Sequence, residues 1–253
     1  LSPHKVSYDS ASQHFRHAYN VYSDASYYFV TQTPGIGEKK RVQTIDNESL
    51  VANMDVQDFI FFDFFEEDVT NLCESGRTWY GDRYDITLAH TYDFQLPATP
   101  TGTGYVSVKA ASSASTTSNF QVAVNQTPIG QSQIGSATGS TIVCITTGIL
   151  PFNASSKDLN VKITYSKPTT SAVGYLDWIE VEAPCPITLR NGQTTFRNPS
   201  TVGEGNVTRF DLSGVSTSAS VWDVTDPSQM VRYALTADNQ GSHFKTQTSD
   251  LRE

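Results

Sequence analysis

Three cysteines and five histidines are the groups in this chain best suited to nucleophilic or metal chemistry. Their spacing limits what they can do. A cysteine nucleophile needs a base beside it. Cys185 sits between Pro184 and Pro186, and His243 is the single histidine in its half of the chain. Two residues without a surrounding motif make no dyad, and the Pro-Cys-Pro segment reads as a linker. No GxSxG elbow presents a serine. Cys73, Cys144 and Cys185 contain no CxxC pair, which argues against a zinc knuckle. Cys144 lies in an apolar strand pattern and reads as a small buried hydrophobe. A Cys144–Cys185 bridge is the alternative, and its geometry cannot be read from spacing. His14 and His17 are three apart, a spacing that converges on a helix but not on a strand, and residues 15–19 have strand character. His90 falls on an apolar face, as a core histidine would. Carboxylates cluster at Glu66, Glu67 and Asp68 and at Asp223 and Asp226, where solvated turns are the simplest reading. The alternating aspartates of a calcium loop are missing. We expect no catalytic residue, no metal and no cofactor in this chain.

Aromatic rings offer a second kind of chemistry, stacking on sugar faces. Trp79, Tyr80, Tyr84, Trp178 and Trp222 have the required side chains. Trp79, Tyr80 and Trp178 are selected as ligand-binding candidates. Core packing is the competing fate of each, because large aromatics bury more often than they project.

The elements that must position these groups are strands. Hydrophobic residues make up 38% of the 253 positions and charged residues only 17%, with a net charge of −9. The charged share lies below the typical quarter, which suits a surface or secreted β protein with neutral polar outer faces. An acidic chain without a basic cluster is a poor partner for nucleic acid. Lys39-Lys40-Arg41 is the densest basic run and reads as a solvated hairpin end. The most apolar stretch, 59–65, is interrupted by Asp63 and is far shorter than the ~20 residues that span a bilayer.

Period-two alternation recurs at 84–90, 106–110, 120–124 and 159–165, the mark of half-buried antiparallel strands. Turn-rich segments separate these runs. Residues 27–31 predict a strand with 39–45 as its hairpin partner. Residues 46–57 read as loop, 59–65 as a strand covered on both faces, and 68–74 as one helical turn. Residues 125–130 fit a tight turn. After Pro184-Cys185-Pro186 a second strand set is predicted at 187–190, 194–197, 207–212, 220–224 and 230–234, with Asn191-Gly192 as a hairpin turn. The expected class is therefore all-β: an antiparallel, jelly-roll-like sandwich over 58–185, a β-hairpin segment over 1–57, and a small β domain over 186–253.

Six segments then appear in a fixed order: PHKVSYD (3–9), YSDASYYF (22–29), EEDVTNL (66–72), SGRTWYGDRYD (75–85), YLDWIE (175–180) and VWDVTDP (221–227). Together they resemble the N-terminal, non-catalytic region of the gingipain-type, C25-family sortases of the type IX secretion system of Bacteroidetes. Lys5-Val6-Ser7-Tyr8 departs slightly from the family's Lys-Trp-x-Tyr opening. Residues 175–181 also resemble the last strand of galactose-binding-like jelly rolls. Asp9-Ser10-Ala11 fits the short O-glycosylation pattern of Bacteroidetes. The sortase resemblance implies a cell-surface, outer-membrane-associated parent whose cysteine and histidine lie beyond Glu253. It implies as partners the parent's own peptidase domain, secreted cargo with C-terminal sorting domains, and outer-membrane secretion components. No catalytic residue is carried over onto this chain, which we read as a fragment. The alternative is a carbohydrate-binding β-sandwich module of a surface protein.

Overall fold

A computed structural model describes residues 5–18, 25, 42–72, 78–138, 144–239 and 241–253, without the side chains of 144–147. The strands in chain order are β1 (Lys5–Asp9), β2 (His14–Ala18), β3 (Gln43–Ile45), β4 (Met54–Val56), β5 (Asp58–Glu66) and β6 (Arg83–Tyr84). There follow β7 (Ala89–Gln95), β8 (Gly104–Ser112), β9 (Ser118–Val124), β10 (Thr127–Ile134), β11 (Cys144–Phe152) and β12 (Asp158–Ser166). The chain continues with β13 (Gly174–Pro186), β14 (Val207–Ser213), β15 (Val221–Asp223), β16 (Val231–Tyr233), β17 (Thr236–Ala237) and β18 (Gly241–Gln247). The protein is all-β, as its alternation predicts. Among the described residues no helix is long and apolar enough to cross a membrane.

Contacts divide the chain into two units, one of residues 6–21 and 62–184, the other of 1–5, 22–61 and 185–253. Residues 1–57 are thus shared between the two.

The first unit is an antiparallel sandwich. One sheet has the order β10-β9-β12-β7 and the other β11-β8-β13-β5, with β6 against β13. In β9 and β12 buried and exposed positions alternate, so one face meets the core and the other meets solvent. The buried face supplies Phe120, Val122, Leu159, Ile163 and Tyr165, and the opposing sheet supplies Val106, Val108, Leu176 and Ile179. Tyr165 also exchanges a hydrogen bond with the buried Ser112 hydroxyl at 2.7 Å. The sheets approach closely enough that a Cβ on Gly174 would lie 2.7 Å from the Phe120 ring. β8 and β13 do not alternate; both faces are largely buried.

The β9–β10 turn is the two-residue loop Asn125-Gln126, both at positive φ (48° and 69°). That is the backbone of a tight hairpin turn, confined to two residues within the expected 125–130 segment. Asn125 is held by its side chain, which accepts from Asn160 N at 2.8 Å and donates to Asp158 O. Gln126 has no such compensation in its turn geometry. Gln126→Gly is expected to stabilise the sandwich by about 1 kcal/mol, because glycine carries no left-handed penalty. A urea midpoint measured beside the parent chain checks it.

The second unit holds two small sheets, β17-β18-β14-β4 and β15-β16-β3. Phe210 and Phe244 stack at 5.1 Å, and Tyr233 stacks on Phe244 at 4.9 Å, forming its core.

Several local expectations differ from what folds. β4 arises inside the expected 46–57 loop, as a short parallel partner of β14. The 27–31 strand expected as the hairpin partner of 39–45 lies outside the described residues; β3 pairs in parallel with β16. Both pairings join segments far apart in sequence, where local composition carries no signal. The helical turn at 68–74 is absent over its described part, where Thr70 instead bridges Tyr80 through reciprocal 2.8 Å hydrogen bonds. The run 84–90 is broken by bends between β6 and β7, and Ile86 points into solvent. The Asn191-Gly192 turn forms, but its flanks make only an Arg190–Gln193 bridge in place of strands. The Lys39-Lys40-Arg41 run, Cys73 and the side chain of Cys144 lie outside the described residues.

Candidate functional site

In β13, a bulge at Asp177 decides what the outer face of the sandwich presents. Leu176 pairs with Ala110 and Trp178 with Lys109, so Asp177 is the extra residue. The slip turns Ile179 and Val181 into the core and sends Trp178, Glu180 and Glu182 to the other face. Asp177 itself is buried and meets Lys109 Nζ at 2.8 Å. Burial, partly offset by Lys109 and reinforced by the carboxylates of Glu66 and Asp68, raises its pKa above the ordinary value.

The β1–β2 hairpin covers the outward face of β13, and two glutamates hold it there. Glu180, 3% exposed at its side chain, accepts from His17 N at 2.9 Å, from His17 Nδ1 at 2.8 Å and from Arg16 Nη1 at 2.6 Å. Glu182 accepts from Phe15 N at 3.0 Å and pairs with the His14 ring. The remaining nitrogen of His17 meets Glu66 at 2.9 Å. Phe64 stacks on the His17 ring at 4.3 Å and Trp178 meets it edge-on at 5.4 Å. Burial lowers the His17 pKa, but hydrogen bonds to Glu180 and Glu66 and their negative charge outweigh it, raising it to about 9. His14 and His17 therefore belong to a structural clasp, His14 on Glu182 and His17 between Glu180 and Glu66. The helix-type convergence ruled out from their spacing does not occur, because β2 is a strand.

The three aromatic candidates are placed differently. Tyr80 is 3% exposed, so its ring is not available to stack on a sugar; its bridge to Thr70 packs it inward, near Tyr175. Trp79, next to it, is 41% exposed. Trp178 is half-buried against His17.

The better-formed concavity was not among the selected candidates. In the second unit a cleft of about 640 Å³ is lined by Leu189, Phe196, Leu212, Val221, Trp222 and Val224, with several small hydroxyl residues. Trp222 sits in β15, opposite Arg232 of β16, and is 44% exposed. Among its described lining there is no histidine, cysteine, lysine or arginine. Such a wall can seat apolar side chains, with Glu253 as the one charged side chain of that described lining. Cys185 is wholly buried and cannot touch a substrate. Trp222 was one of five rings visible in the sequence. What the sequence lacked was the long-range folding of 187–196 against 212–224 that gives it a groove.

The fold has a counterpart among solved structures. PorU from Porphyromonas gingivalis, in a structure described as dimeric and latent, superposes with a TM-score of 0.78 at 18% identity over 99% of this chain. This chain has the fold of a PorU segment. It spans 24% of that PorU chain. At such identity the likeness to PorU is one of fold, and it agrees with the ordered segments read from the sequence. Partial overlaps also occur with a carbohydrate-binding module of type CBM36 solved with calcium and xylotriose (TM-score 0.29, 18% identity, 37% of this chain and 71% of that one). A CBM36 domain of a xylanase from the hindgut metagenome of Trinervitermes trinervoides gives 0.33 at 10% identity, over 48% of this chain and 96% of that one. Neither overlap bears on function. No protein-family model and no curated protein sequence matches the chain.

Proposed function

We propose that this chain is the non-catalytic N-terminal region of a larger cell-surface protein, a gingipain-type C25-family cysteine peptidase acting as a type IX secretion sortase. Its work is to position the peptidase domain and to dock cargo or outer-membrane components. The observation that carries this reading is the PorU fold over 99% of the chain. The apolar cleft with its exposed Trp222 supports a docking role, since buried tryptophans at the centre of an interface dominate binding energy.

Trp222→Ala in the chain, titrated against the remainder of its parent supplied separately, is expected to weaken association by about 10- to 100-fold, the range of an interface anchor. Unchanged affinity would remove the cleft from the docking surface. Titration with xylan and galactan oligosaccharides, using Trp79→Ala and Trp222→Ala as controls, separates the rival reading. Saturable glycan binding lost in either variant would favour a carbohydrate-binding module.

A further inference from the structure

Beside β14 and β18 lies a polar cluster that the docking role does not use. Asp211, Asp238 and His243 bring one potential ligand atom each to within 4.8 Å of one another. His243 pairs across the sheet with Asp211, and Asp238 stands at the turn into β18, where its Oδ1 accepts from Gly241 N at 2.9 Å. The His243 side chain is 6% exposed. Its Nε2 faces Glu48 Oε2 at 3.2 Å. A proton on Nε2, donated to Glu48, leaves the Nδ1 lone pair on the inner side. Nδ1 is buried and makes no hydrogen bond. It lies 3.4 Å from Asp238 Oδ2. In that tautomer Nδ1 and Oδ2 turn lone pairs toward each other, an arrangement that a cation between them would satisfy, while Oδ2 is held by Arg209 Nη2 at 2.7 Å. A carboxylate that orients the far nitrogen of a histidine is the usual outer support of a metal-bound imidazole.

The cluster already treats its two aspartates as ligands of one positive centre. Arg209 Nη2 lies 2.7 Å from Asp211 Oδ1 and 2.7 Å from Asp238 Oδ2. The guanidinium is partly exposed and can swing outward, whereas the imidazole is fixed. The 3.4 Å separation of Nδ1 and Oδ2 also matches the edge of a tetrahedral site with bonds of about 2 Å, roughly 3.3 Å.

We propose that Asp211, Asp238 and His243 form a binding site for a divalent transition-metal ion, in competition with Arg209. One imidazole nitrogen and two carboxylates select Zn²⁺ or a similar ion over Ca²⁺ and Mg²⁺, which prefer all-oxygen shells. Glu48 is a positioning residue that acts through His243.

Chelator-stripped chain is titrated with Zn²⁺ by calorimetry and with Co²⁺ by visible absorption. One equivalent should bind, with the absorption of an N/O-ligated tetrahedral Co²⁺. Glu48→Gln should weaken binding by about 10- to 100-fold. Asp238→Asn, at an exposed ligand that tolerates substitution, should abolish it. Arg209→Gln should tighten it by about 10-fold or more by removing the competing charge. No binding by either the wild-type chain or Arg209→Gln overturns the site. Binding by Arg209→Gln alone overturns its use in the wild-type chain. Binding indifferent to all three substitutions places the metal elsewhere and overturns it as well.

Discussion

Glu180→Ala is expected to destabilise the sandwich by about 3–5 kcal/mol, the cost of breaking a buried, hydrogen-bonded charge pair from one side. The carboxylate accepts from His17 N, His17 Nδ1 and Arg16, and all three donors would lose their acceptor beneath the β1–β2 hairpin. Urea unfolding reads the loss, and trypsin cleavage after Arg16 reads release of the hairpin. The same clasp is linked to pH. The ordinary histidine value of 6.5 rises to about 9 for His17 in the folded chain. The folded state therefore holds a proton that the unfolded state gives up between those values. The resulting stabilisation, ~3 kcal/mol, is complete below pH 6.5, declines above it, and is lost once pH passes about 9. Stability should fall between pH 7 and pH 10, and His17→Gln should flatten that slope. A profile rising over the same window would contradict the clasp.

Phe120→Ala should cost a comparable amount, about 3–5 kcal/mol, as a cavity opened in a closed core. Phe120 is fully buried, 5.2 Å from the Tyr84 ring and 4.9 Å from Tyr165. Gly174 faces its ring across the sandwich and has no side chain to fill the space it would leave. Ile86→Ala is the control. The alternation at 84–90 would put Ile86 on the same core face as Tyr84, but it is 96% exposed, so its loss should stay within about 0.5 kcal/mol. Equal losses at the two sites would mean that the break between β6 and β7 is wrong.

That contrast marks how far the sequence could be read. Alternation within β9 and β12 and a tight turn within 125–130 rest on neighbouring residues, and the fold realises both, the turn over 125–126 alone; the family resemblance agrees with the PorU fold. The long-range parallel pairings of β3 and β4 left no local trace. Nor could spacing show that Glu180 and Glu182, written inside an apolar strand, would be buried under a hairpin some 160 residues earlier. Two acids in an otherwise closed strand were the available signal, because buried carboxylates require partners. Trp178 shows the same limit. One bulge residue decides which face it takes, and the bulge is set by pairing with β8, not by composition.

Under the proposed function, this chain binds and positions while another part of its parent does the chemistry. The most direct test is cleavage of a secreted cargo protein carrying its C-terminal sorting domain, by this chain and by the full parent side by side. Cleavage by the parent alone is the expected result. Cleavage by the isolated chain would contradict it and would require a catalytic centre within these 253 residues.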